Sequence, residues 1–93
     1  MTTSLLDKPA VARPASALTI TQREALLAID RYRHHRKRAD GSWYIGPNFY
    51  GLKTIRALER PGLVRREKHP RGSRLVLTMA GRLAKDKLEA RNA

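Results

Sequence analysis

The sequence predicts a small α+β domain, read as helix, strand, helix, β-hairpin and helix. Three observations carry that prediction. Apolar residues recur at helical spacing from Ala25 to Tyr32 and again from Leu52 to Leu58. A Pro61-Gly62 stop follows the second of these runs. Beyond it, "LVRREKHPRGSRLVLT" centres on a turn containing Pro70 and Gly72, and Leu75 and Leu77 alternate with Val76 on its far arm, the pattern of a half-buried hairpin. A chain of 93 residues supports one domain with one modest core. Aromatics make up only 5%, so that core must be Leu, Ile, Val and Ala.

Taken in order, residues 1–17 are rich in Ala, Pro, Ser and Thr and are expected to be a mobile leader, with the domain spanning 18–93. "TQRE" reads as a capping box in which Thr21 and Glu24 close the helix start, with Leu18 and Ile20 folding back as a staple. Leu26, Ile29 and Tyr32 should face the core. The helix is expected to run to about Arg36 and to stop before Gly41. "SWYIG" favours extended backbone, giving a short strand over 42–45 with Trp43 in the core. "PNFYG" reads as a turn or loop. "LKTIRALER" is a helix over 52–60, and Pro61 should forbid helical backbone at Arg60. The hairpin strands fall at 63–68 and 73–78. Thr78 then caps a last helix in which Leu83 and Leu88 dock.

The composition excludes several classes. There is no cysteine, so neither a disulfide scaffold nor a thiolate metal site is available. No apolar run reaches the length of a membrane span, and the opening residues have no basic cluster followed by an apolar stretch, so neither a span nor a secretory leader is expected. The net charge is +12, and between Arg31 and Arg74 thirteen Lys and Arg face three acids. So strong and local an excess points to a polyanionic partner.

The residues "TIRALERPGLVRR", then "SRLVLTMAGR" after a spacer, resemble the winged helix-turn-helix proteins, and most closely the MarR-like group of bacterial regulators. That group ends a helix in "LE-x-x-GLV-x-R", follows it with a basic wing, and opens the next helix with "LT-x-x-G". Here Leu58 to Arg66 and Leu77 to Gly81 fill those places. Where the group has a separate positioning helix, this chain has "ADGSWYIGPNFYG", and the long dimerisation helices have no counterpart. The resemblance is therefore to a minimal winged helix of a bacterial or phage regulator. It implies that helix 52–60 is a recognition helix entering the major groove of double-stranded DNA and that 68–74 is a wing on the backbone or minor groove.

On that reading Lys53 and Arg56 reach base edges or phosphates, with Arg60 on the same basic face and Thr54 bonding phosphate near the helix start. Lys68, His69, Arg71 and Arg74 load the wing tip with cations that a turn does not require. The run "RYRHHRKR" supplies Arg36, Lys37 and Arg38 as further phosphate grip. Asn48 and Tyr50, just before the basic helix, are candidate phosphate contacts. Trp43 and Tyr44 are a candidate base-stacking platform, although Trp43 reads as core. His34 and His35 are adjacent and would diverge on a helix, so no metal is assigned. No nucleophile, paired carboxylate or phosphate loop is in place, so no enzyme and no cofactor are expected. A homodimer through the C-terminal helix, 79–91, would supply the second half-site. The expected location is the cytoplasm, at the nucleoid. The rival readings are an RNA-binding or ribosome-associated module, and a winged-helix interaction module, such as a phage inhibitor, whose basic face binds an acidic protein.

Overall fold

In the computed structural model, which describes residues 8–70 and 72–92 (side chains only as far as 90), the elements run α1 (Pro9–Ala12), α2 (Pro14–Ala17), α3 (Ile20–Arg31), β1 (His35–Lys37), β2 (Trp43–Ile45), β3 (Asn48–Tyr50), α4 (Leu52–Glu59), β4 (Val64–His69), β5 (Gly72–Leu77) and α5 (Met79–Asn92). The class is α+β. β1, β2 and β3 form an antiparallel meander in that order, and β4 and β5 form a separate antiparallel hairpin. No helix among the described residues is long and apolar enough to cross a membrane.

The leader expected over 1–17 is corrected from Lys8 onward, residues 1–7 lying outside the described residues. Prolines open two single-turn helices, and Val11 is fully buried with Ala10 and Pro14 against the domain. α1 and α2 lie on α5, where the Lys87 ammonium donates to the Ala12 carbonyl, and Lys8 donates to the carbonyl of Pro61. Burial of one branched side chain and these ties hold a segment whose composition alone reads as unstructured.

α3 begins two residues earlier than expected. Its cap is Thr19, whose hydroxyl accepts from the Gln22 N–H while the Gln22 side chain accepts from the Thr19 N–H. "TITQ" and "TQRE" satisfy the same box pattern, and the first is the one used. Leu18 enters the core, whereas Ile20 points to solvent and makes no staple. α3 also ends early, at Arg31. Tyr32 is extended, and its ring lies beneath Gly46, where an added Cβ would stand 2.5 Å away. The basic run that follows is therefore strand and loop rather than helix end. An extended backbone sends neighbouring cations to opposite faces, which relieves the repulsion that a helix would concentrate.

"PNFYG" is likewise corrected from loop to strand. Gly46-Pro47 is a two-residue hairpin turn, with Ile45 opposite Asn48 and Gly46 at positive φ. Glycine at the first central position suits the right-handed twist of the flanking strands. Trp43, Ile45 and Tyr50 face the core, while Tyr44 and Phe49 face out.

α4 stops for a different reason than the proline rule gives. Arg60 is helical at φ −57° and ψ −49° despite preceding Pro61. The stop is Gly62, at φ +76°. Its N–H bonds the Glu59 carbonyl at 2.9 Å, and the Leu63 N–H bonds the Leu58 carbonyl at 3.0 Å. This is a Schellman end, completed by the buried pair Leu58 and Leu63.

The hairpin emerges directly from that end and returns to it. The Thr78 N–H donates to the Leu63 carbonyl, the Thr78 hydroxyl donates to the Gly62 carbonyl, and the same hydroxyl accepts from the Gly81 N–H as the cap of α5. Leu75 and Leu77 are buried and Val76 less so, as the alternation predicts. α5 spends Ala80, Ala84 and Leu88 on the core, with Leu83 packed at its edge. Lys85 pairs with Asp30 at 2.7 Å, fastening α5 to α3.

Candidate nucleic-acid interface

The apolar face of α4 fixes what its other face can do. Ile55 and Leu58 are fully buried, which turns Lys53, Arg56 and Arg60 outward. Their i, i+3, i+7 spacing makes one stripe along the helix. No acid pairs with any of the three among the described residues. Glu59, at the edge of that face, is occupied by Arg66 of β4 at 3.2 Å. Thr54 is half-buried at the flank.

The hairpin is also cationic, though part of its charge is matched. Glu67 lies between Arg65 at 3.5 Å and Arg74 at 3.4 Å. Such exposed pairs contribute little, about 0–1 kcal/mol, and can be exchanged for other anions. Lys68 and His69 are exposed near the tip, and Arg71 lies outside the described residues. The acid of the preceding loop is spent on the backbone. The Asp40 carboxylate accepts from the Ser42 hydroxyl and N–H, which holds its pKa below the usual range.

β1 lies against β5, and this contact brings the basic run to the hairpin. Between them runs an open groove of about 700 Å³, whose walls include Arg33, His34, Arg36, His69, Ser73 and Arg74. Three of the expected site residues, Arg36, His69 and Arg74, thus share one groove. Lys37 and Arg38 are exposed on and just beyond β1. The α4 stripe is a second basic surface, and this groove contains none of its members.

His35 joins the two walls. Its Nδ1 accepts from the Leu75 N–H at 3.0 Å, and its Nε2 faces the Tyr32 carbonyl at 2.7 Å. A backbone N–H can only donate and a carbonyl only accept, so the ring is neutral with its proton on Nε2. Burial lowers the His35 pKa; the bond to Tyr32 opposes that, and the charge of Arg74 adds to it. The unfolded chain therefore takes up the proton first, near the ordinary value of about 6.5. The stability that His35 supplies is full above that pH and is lost as pH falls from there through the lower folded value. Urea titrations across that interval should show the parent chain losing stability relative to His35→Gln as acid is added. Parallel pH profiles would contradict the neutral bridging role.

One expected contact is corrected. Tyr50 is 6% exposed because it pairs across the strand with Trp43 on the core face, so it is a core residue and not a phosphate contact. Asn48 is exposed just beyond the hairpin turn. The stacking pair expected from the sequence, Trp43 with Tyr44, is split: Trp43 is core, and on the opposite face Tyr44 has Phe49 as its neighbour. Tyr44 and Phe49 sit side by side on it, ring centres 5.2 Å apart, 37% and 50% exposed. The guanidinium of Arg36 lies 5.9 Å over Tyr44, and that of Arg38 lies 5.7 Å over Tyr44 and 6.0 Å over Phe49. The signal for that pairing was the Gly-Pro dipeptide between "WYI" and "NFY": reading it as a two-residue hairpin puts Tyr44 and Phe49 on one face.

Comparison with protein-family models, with curated proteins and with solved structures gives no match for this chain.

Proposed function

We propose that this chain is a winged-helix protein that binds double-stranded DNA sequence-specifically and regulates transcription. The observation behind this reading is the stripe of Lys53, Arg56 and Arg60, three cations aligned on the solvent face of a short helix with no acidic partner among the described residues. A helix of this width fits the major groove, where arginine bonds guanine edges. Support comes from the chain order as well: β1 beside β5, α4 running straight into the β4–β5 hairpin, and the hairpin returning to α5 are what a winged helix requires. On this reading the β2–β3 hairpin stands in for the positioning helix. Lys68, His69, Arg71 and Arg74 meet the flanking backbone or minor groove, and Arg36, Lys37 and Arg38 add phosphate contacts. A homodimer on two half-sites would meet through the outward face of α5. Apart from the exposed Met79, the apolar positions of that helix serve the core, so the contact would use Met79 and polar residues such as Arg82 and Asp86. The protein would act at the nucleoid in the cytoplasm.

Two substitutions separate the roles. After selection of a preferred site from a random duplex pool, Arg56→Ala should lower affinity for that site more than for scrambled duplex, by roughly 1–3 kcal/mol of lost discrimination. Lys68→Ala should weaken both duplexes alike and reduce the salt slope by about 1. Equal losses on both duplexes for both variants would remove α4 from base reading.

A further inference from the structure

The outer face of the meander has a feature that duplex binding by α4 does not use. A half-exposed phenylalanine on a strand usually finds cover, yet Phe49 and Tyr44 stay open, packed on each other with interplanar angle 59°. They are bordered by charge of one sign, from Arg36 and Arg38. That charge opposes a second copy of this basic chain and favours a polyanion. An aromatic face open to solvent, bordered by guanidinium groups, is the arrangement on which unpaired bases stack while their phosphates meet cations. The platform also opens into the basic groove, since Arg36 and Tyr44 line both.

We propose that Tyr44 and Phe49 form a stacking platform for unpaired bases of a DNA strand, with the adjoining groove, through Arg33, Arg36 and Arg74, taking its phosphates. The choice of DNA rests on the function proposed above. A base laid on one ring meets the edge of the other, because the rings are tilted. Arg36 and Arg38 lie over the rings, two like charges held there by the π faces and, for Arg38, by donation to the Tyr44 hydroxyl at 3.3 Å. A bound strand replaces that arrangement, with bases against the rings and phosphates against the guanidinium groups, and relieves the repulsion. Stacking tolerates any base, so this face adds affinity for an open strand without a sequence requirement.

The test is fluorescence anisotropy of labelled oligo(dT), oligo(rU) and random duplex DNA with the full chain and its variants. Tyr44→Ala/Phe49→Ala should lower oligo(dT) affinity about tenfold or more and leave duplex affinity unchanged. Phe49→Leu, which keeps apolar bulk in the strand but has no π face, should lose part of that affinity even if the double variant fails to fold. Tyr44→Phe should retain it. If oligo(dT) affinity survives loss of both rings, or Phe49→Leu binds like the parent, the platform is refuted while the duplex reading stands. Ring-dependent oligo(dT) binding with no duplex binding would uphold the platform and remove the function proposed for α4. Tighter ring-dependent binding of oligo(rU) than of oligo(dT) would overturn the assignment to DNA.

Discussion

Replacing Lys53, Arg56 and Arg60 together with alanine is expected to reduce duplex affinity by a hundredfold or more, at roughly 1–3 kcal/mol for each lost base contact. The fold should not suffer. All three side chains are exposed, and alanine is the better helix former. The loss should come with a change in salt dependence. Each phosphate contact contributes about 0.9 to the slope of log affinity against log salt, so any of the three that grips backbone lowers the slope by that amount. Anisotropy titrations at several salt concentrations, paired with a thermal melt of the variant, check both. A variant that melts normally and binds duplex like the parent would show that α4 is not the DNA-binding element.

The largest effect on stability is expected at Gly81. A Cβ there would stand 2.0 Å from the Leu63 carbonyl oxygen, a backbone atom that also accepts from the Thr78 N–H. No rotamer relieves the clash, so α5 must shift off the end of α4 and take the Thr78 bonds with it. Gly81→Ala should therefore cost about 3 kcal/mol or more, at the upper end of overpacking effects. For a domain of this size that is a drop in melting temperature on the order of 15 °C. A melt within a few degrees of the parent would contradict the close approach of α5 to Leu63.

That packing explains why parts of this fold could be read from sequence. "GLV" and "LT-x-x-G" are the two sides of one joint: Gly62 and Leu63 offer carbonyls, Thr78 bonds both, and Gly81 makes room. Each piece follows a local backbone rule, so α4, the hairpin and α5 were legible in place and order. The same joint shows that these residues fix α4 against the hairpin and α5 without themselves facing outward. What stayed illegible depends on distant partners. The basic run from Arg33 to Arg38 has no apolar pattern of its own, and only pairing with β2 and contact with β5 make it a strand. The leader reads as mobile until α5 gives Val11 a place to be buried. Of the candidate site, the cations of α4 were legible from helical spacing. Tyr44 was legible as a stacking residue but its partner Phe49 was not, because their shared face exists only once Gly46-Pro47 is a hairpin turn.

On the function proposed above, the basic surface of this chain reads duplex DNA by sequence. The most direct measurement is anisotropy against random duplex across a range of salt, followed by selection from a random duplex pool. Salt-dependent duplex binding and enrichment of one motif are expected, palindromic if the chain acts as a dimer. Duplex binding without any enriched motif, or no duplex binding even at low salt, would contradict that function.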